Sequence, residues 1–215
     1  MAIKNFLVKT KQVKQKGAGL ERQLRYIHDD KAPSHKHTEI TPLLHGKKLL
    51  GAYDERRLDR QMKGLRGGGV VNRATRFIIS VPNTIAHPTT KQWQEILREC
   101  VREVAKVNDI PLMKLADHCE AVIHDESRSG KHSHIHLVVS NIIDKQYVKG
   151  ITQKKTTYGI KTAFNRAVKS VLKVGPRQYL PEKTKTVKSP YSDDLENSSK
   201  PSPNRRSRKK RRFKK

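Results

Sequence analysis

From His124 to Asn141 the chain reads His-Asp-Glu-Ser-Arg-Ser-Gly-Lys-His-Ser-His-Ile-His-Leu-Val-Val-Ser-Asn, which places His124, His132, His134 and His136 within one short stretch. Neutral imidazole is a common ligand of divalent metal ions. Two imidazoles at i, i+2 on a strand project from the same face and can share one ion, and a third from a neighbouring strand closes one side of the coordination sphere. Ser133 to Ile143 has the aliphatic, partly alternating pattern of a strand. Its period of two puts His132, His134 and His136 on one face, with Ile135, Leu137 and Val139 turned towards a core. His124 is the expected third ligand. It ends the apolar run Glu120 to Ile123, and the polar loop Asp125 to Lys131, with its Gly130, returns the chain as a hairpin.

The elements that must hold this hairpin are unevenly legible. Ala2 to Thr10 reads as a first strand. After the Gly17-Ala-Gly19 break, Leu20 to His28 reads as a short helix with Leu20, Leu24 and Ile27 in phase and Tyr26 near its end. Residues 29–75 are punctuated by Asp29-Asp-Lys-Ala-Pro33 and Arg66-Gly-Gly-Gly69 and yield only a charged helix over Tyr53 to Lys63. Arg76 to Val81 is a short strand stopped by Pro82-Asn83. A long helix follows, capped by Thr89 or Thr90 and ending before Pro111. Its apolar stripe of Trp93, Ile96, Leu97, Cys100, Val101, Val104 and Val107 is packing surface. Thr157 to Leu172 is a further helix. Strands joined as a hairpin with helices between them predict an α+β fold, an antiparallel sheet with helices packed against it. Neither a GxGxxG nor a Walker pattern occurs.

The formal charge of +27 and a pI near 10.3 point to a polyanionic partner. Arg205 to Lys215 contributes nine basic side chains, and +18 remains without them. No apolar run is long enough to span a bilayer and no basic amphipathic helix has an apolar face, so nucleic acid is expected rather than membrane. From Pro181 the composition predicts a disordered basic tail, either a phosphate-binding arm or a nuclear-import-like signal. The division expected is a folded domain over 1–180 and a tail over 181–215. Cys100 and Cys119 read as reduced thiols, and with no signal-peptide pattern a cytoplasmic location is expected. A divalent ion beside a basic surface suits phosphodiester chemistry, with either a metal-bound water or a side chain as nucleophile.

Three segments, in this order, resemble the single-tyrosine mobilization relaxases of the HUH endonuclease superfamily, a likeness covering most of residues 1–175. They are Leu24-Arg-Tyr26-Ile-His-Asp-Asp-Lys31; Phe77-Ile-Ile-Ser80-Val-Pro82 with the helix that follows; and Val122-Ile-His124-Asp-Glu126 with Ser133-His134-Ile-His136-Leu-Val-Val. The resemblance implies that Tyr26 is the nucleophile, ahead of its rivals Tyr53 and Tyr158. It implies that Ser80 contacts DNA beside the scissile phosphate, and that His124, His134 and His136 hold the metal, Mg²⁺ or Mn²⁺, although imidazoles also suit Zn²⁺, Co²⁺ or Ni²⁺. Asp125 and Glu126 are candidates to orient a ligating imidazole, to accept the tyrosine proton, or to be solvated loop acids. Two features depart from the pattern. The loop before His134 is long and brings in His132, and the Asn expected four residues beyond the last His is Ser140, with Asn141 following.

The implied activity is strand-specific nicking and rejoining of single-stranded DNA at an origin of transfer, through a 5′-phosphotyrosyl intermediate, in a bacterial cytoplasm. Accessory relaxosome proteins and a type IV secretion coupling protein are the implied partners. A rolling-circle replication initiator of the same superfamily and a non-catalytic basic nucleic-acid-binding protein are the alternatives.

Overall fold

The computed structural model describes residues 6–14 and 16–175. The chain divides into two units, Met1–Leu180 and Pro181–Lys215. The second unit, and with it the expected basic tail, lies outside the described residues.

The first unit is α+β, with helices packed on a five-stranded antiparallel sheet. Its strands are β1 (Leu7–Val13), β2 (Glu39–His45), β3 (Ala74–Ser80), β4 (Cys119–Asp125) and β5 (His134–Ser140), in the order β1-β3-β5-β4-β2. The helices are α1 (Lys16–His28), α2 (Ala52–Met62), α3 (Thr90–Val107), α4 (Leu112–Ala116) and α5 (Lys154–Leu172). The short strands β6 (Ile142–Ile143) and β7 (Gln146–Tyr147) form a separate ribbon.

Strand periodicity sorts the side chains onto two faces. On one, Phe77 and Ile79 of β3, Ala121 and Ile123 of β4, and Ile135, Leu137 and Val139 of β5 pack against the apolar stripe of α3 and against Ile160, Phe164 and Val168 of α5. The stripe is buried from Trp93 to Val104, while Val107 is half-buried. Burying each large side chain there stabilises the fold by roughly 1.5–3 kcal/mol. Thr89 starts α3 with a capping box: its hydroxyl accepts from the Gln92 N–H, and the Gln92 side chain accepts from the Thr89 N–H. Burial pushes the thiols of Cys100 and Cys119 to high pKa, so both stay protonated.

On the other face, Val13, Ala74, Val122 and Val138 pack beneath Leu20 and Ile27 of α1 and beside Leu49. Arg76, Glu120, His124, His134 and His136 share this face, as the pairings Arg76↔Val138, Glu120↔Val138, His124↔His134 and Val122↔His136 require.

Several expectations shift. The first strand begins at Leu7 and runs to Val13, and residues 1–5 lie outside the described residues. The aliphatic run expected from Ser133 to Ile143 is interrupted: β5 ends at Ser140, and Asn141 separates it from β6. Strand β2 and helix α4 had no clear signature. β2 carries Pro42 and slips register between Pro42 and Leu44, which is tolerable because it is an edge strand needing only one complete ladder. Among the described residues no helix is long and apolar enough to cross a membrane.

Candidate metal centre and tyrosine

β4 and β5 form the hairpin expected from the sequence, its loop turning through Gly130 at φ 70°, a left-handed conformation that suits glycine. Because His124 and His134 are directly paired and His136 lies two residues on, the three imidazoles converge. One nitrogen from each falls within 4.8 Å of the other two. His134 Nε2 and His136 Nε2 are 3.1 Å apart. Two nitrogens ligating one ion at 2.0–2.1 Å with usual bond angles lie roughly 2.8–3.4 Å apart, so this spacing fits a shared divalent ion.

The outer hydrogen bonds fix which nitrogen faces the centre. A carbonyl only accepts, so His124 donates from Nε2 to the Ile27 carbonyl at 2.8 Å and leaves Nδ1 free to ligate. His134 likewise donates from Nδ1 to the His132 carbonyl at 3.1 Å and presents a bare Nε2. In the 3.1 Å contact the proton therefore comes from His136 Nε2, and an ion bound by that nitrogen would require the proton to sit on Nδ1 instead. His136 Nδ1 is buried with no hydrogen-bond partner.

Electrostatics keep the rings neutral. Burial is the largest cause, lowering His124 to about 4 and His136 to about 2; His134 is lowered in the same direction. The other imidazoles and, for His134 and His136, the nearby Arg76 guanidinium add repulsion. Neutral imidazole is the ligating form.

Tyr26 comes from the last turn of α1. Its ring centroid is 6.3 Å from those of both His124 and His136, and the side chain is 40% exposed, so it borders the triad while remaining open to solvent. The rivals lie elsewhere. Tyr53 is covered by the Arg73 guanidinium at 3.6 Å, and Tyr158 is an exposed residue of α5, which packs on the opposite face of the sheet.

The end of α1 is tied down at successive residues: the Tyr26 ring rests on His35, the Ile27 carbonyl accepts from His124, and His28 Nε2 lies 2.9 Å from Glu120 Oε1. Glu120 is buried and also holds His45 Nδ1 at 2.8 Å through Oε2.

His132 is not part of the triad. It precedes β5, and its Nδ1 accepts from the Asn83 N–H at 3.0 Å while the Asn83 side chain donates to the Gly130 carbonyl at 2.8 Å, so the pair docks the Pro82-Asn83 turn on the hairpin. Asp125 Oδ1 accepts from Ser127 N at 2.9 Å and from Ser133 Oγ at 2.6 Å. Glu126 accepts weakly from Thr38 at 3.4 Å, sits 3.8 Å from Lys131 Nζ, and opposes the burial of His134 by favouring its protonated form. Among the described residues neither carboxylate is hydrogen-bonded to a triad imidazole or to Tyr26. Ser80 pairs with His134 in register, but it is fully buried and donates to the Ser133 carbonyl at 3.0 Å. Asn141 is also structural, accepting from Thr75 Oγ1 and donating to the Asn72 carbonyl.

Two residues beside the triad were not singled out from the sequence. His35 follows Pro33 in a short 3₁₀ turn, 97% buried, with its ring 4.6 Å from Tyr26 and 4.5 Å from His124. Arg76 lies on β3 beside Tyr26; burial holds its guanidinium below the ordinary arginine pKa, and the tyrosine oxygen works against that. The alternation of β3 was the available signal for Arg76, since it puts this residue on the face opposite Phe77 and Ile79.

No family model matches this chain, and a search of curated proteins finds no match either.

Proposed function

We propose that the protein is an HUH-type DNA-nicking enzyme, a relaxase-like single-strand endonuclease and strand transferase using Tyr26. One observation carries the reading: an accessible tyrosine borders three converging, neutral imidazoles on a strongly basic protein. A divalent ion held by His124, His134 and His136, Mg²⁺ or Mn²⁺ in use, would supply charge stabilisation to a nonbridging phosphate oxygen. Tyr26 Oη attacks phosphorus and gives its proton to solvent, to which the residue is open. The bond from phosphorus to the 3′ oxygen breaks, and that oxygen takes a proton from solvent and leaves as a hydroxyl, giving a 5′-phosphotyrosyl link. Energy is retained in the phosphodiester, so the reverse attack by a 3′-hydroxyl rejoins the strand without a nucleotide cofactor. Ser80 joins the DNA contacts only if the strand displaces its bond to Ser133. An origin of transfer as the target, with relaxosome and secretion-coupling partners, completes the reading.

The test is incubation of the full chain with Mn²⁺ and a pool of single-stranded fragments of its own replicon, followed by denaturing electrophoresis and sequencing of the trapped DNA. A metal-dependent covalent adduct that disappears in Tyr26→Phe is expected. No adduct, or one that survives the substitution, overturns the assignment.

A further inference from the structure

A groove of about 510 Å³ runs between β1 and α1 and ends at Tyr26; it is lined by Lys11, Lys14, Arg22, Gln23, Arg76 and Tyr26 among others, and by no carboxylate. Its base is electrostatically unusual. Lys11 and Arg76 are direct cross-strand partners, so two cations face the same side of the sheet. Like charges in that relationship are destabilising. Arg76 is half-buried, and among the described residues it has no acidic partner; its hydrogen bond is to the neutral Gln23 Oε1 at 3.0 Å. Elsewhere, cations of this chain reach carboxylates readily, as Lys63 does Asp59, Lys114 does Asp144 and Arg166 does Glu103. An uncompensated, partly desolvated guanidinium opposite a lysine is a seat for an anion supplied from outside.

We propose that this groove is the path of a single DNA strand, with Lys11 and Lys14 holding successive phosphates on the β1 rim and Arg76 clamping the phosphate next to Tyr26. The proposal rests on the nicking reading for its choice of DNA, but the groove itself is read from its own charges. β1 is an edge strand of the sheet, so the groove is open along that side. A flexible single strand can bring a phosphate down to the half-buried Arg76. A duplex, with its phosphates on a stiff convex surface, meets only the exposed lysines. Phosphate recognition by Lys and Arg is independent of sequence, so the groove contributes affinity and registers the scissile bond, while base choice is made elsewhere.

The experiment measures anisotropy of a fluorescein-labelled single-stranded oligonucleotide, and of its duplex, on the full chain across a salt series. The variants are Lys11→Gln/Lys14→Gln, Arg76→Gln and Arg76→Lys, with Lys161→Gln on the exposed face of α5 as control. The single strand should bind more tightly than the duplex. The double lysine variant should lower the magnitude of the log-log salt slope by about 0.7 for each phosphate that is no longer neutralised. Arg76→Gln should weaken single-strand binding about tenfold, Arg76→Lys less, and Lys161→Gln not at all. Exposed Lys11 and Lys14 can be changed without threatening the fold, so wild-type affinity and salt slope in their double variant overturns the proposal; equal binding of the duplex does so too. A Tyr26 adduct with undisturbed binding in every groove variant defeats the groove alone, whereas groove-dependent binding with no adduct defeats the nicking reading alone.

Discussion

His124 donates a hydrogen bond from Nε2 to the carbonyl of Ile27, 2.8 Å away, and Ile27 directly follows Tyr26 in α1. One bond therefore orients an imidazole of the candidate metal centre and fixes the last turn of the helix that carries the tyrosine. A carbonyl in this position holds the His124 tautomer with Nδ1 free, and it couples the stiffness of the centre to that of the tyrosine.

Metal should stabilise this protein through three imidazoles and not through the fourth. With Mn²⁺, Co²⁺ or Zn²⁺ at about a hundred times its Kd, linkage predicts roughly 2.7 kcal/mol of added stability, visible as a rise in Tm. His134→Ala and His136→Ala should abolish that rise. His132→Ala, which removes only the acceptor for Asn83, should start from a lower Tm yet keep the full metal response. A metal response lost in His132→Ala and kept in His136→Ala would reverse the assignment.

Acid should destabilise the apo protein before any carboxylate titrates. His124, His134 and His136 have folded pKa values below the ordinary 6.5, with His124 at about 4. The unfolded chain thus takes up these protons first. Their contribution to stability is complete above pH 6.5 and is lost as pH falls from there through about 4, by up to about 1.4 kcal/mol per pH unit for each imidazole. Urea denaturation between pH 7 and pH 5 should show this slope, and His136→Asn should flatten it. An unchanged slope in the variant means that the triad does not cause the pH dependence.

The β4–β5 hairpin and the α3 stripe were legible because each follows a single strong period, and the alternation of β5 carried two of the three candidate ligands, His134 and His136, with it. His132 was misleading for a physical reason: period two extends from His136 to His132 only if the strand does, and β5 begins at His134. His35 and β2 were illegible because neither has a period to follow. One sits in a 3₁₀ turn fixed by a carbonyl, the other in an edge strand with a proline and a register slip. The partner of β2 is β4, far along the chain, and such long-range pairing leaves little local trace. Arg76 shows the opposite case, a residue whose strand was read but whose face was left unused.

Asp125 and Glu120 should separate hairpin support from tyrosine support. Asp125→Ala removes the acceptor for Ser127 N and Ser133 Oγ and should cost about 1 kcal/mol, with metal affinity and adduct yield retained. Glu120→Ala strands His28 and His45 and removes one of the three ties on the end of α1, so it should lower adduct formation while the metal-induced rise in Tm persists. Differential scanning fluorimetry alongside the adduct assay reads both. An Asp125→Ala protein that is fully stable but inactive would instead return Asp125 to a catalytic role.

His35 should position Tyr26 without ligating the metal. Its Nδ1 donates to the Asp29 carbonyl at 2.6 Å, which leaves Nε2 as an acceptor, and that atom is buried with no hydrogen-bond partner. The ring packs between Tyr26 and His124, at 4.6 and 4.5 Å, yet it supplies no member of the converging triad. Replacing it with leucine fills much of the space and keeps an apolar wall, but removes the bond to Asp29 and the aromatic support under the tyrosine. His35→Leu should therefore slow single-turnover adduct formation about tenfold or more, as expected when a reacting group is displaced by a fraction of an ångström to one ångström. Metal affinity by calorimetry and single-strand affinity by anisotropy should stay near wild type. His35→Phe, which restores a ring without the hydrogen bond, should recover part of the rate. Weaker metal binding in both variants would show that His35 acts on the ion rather than on the tyrosine.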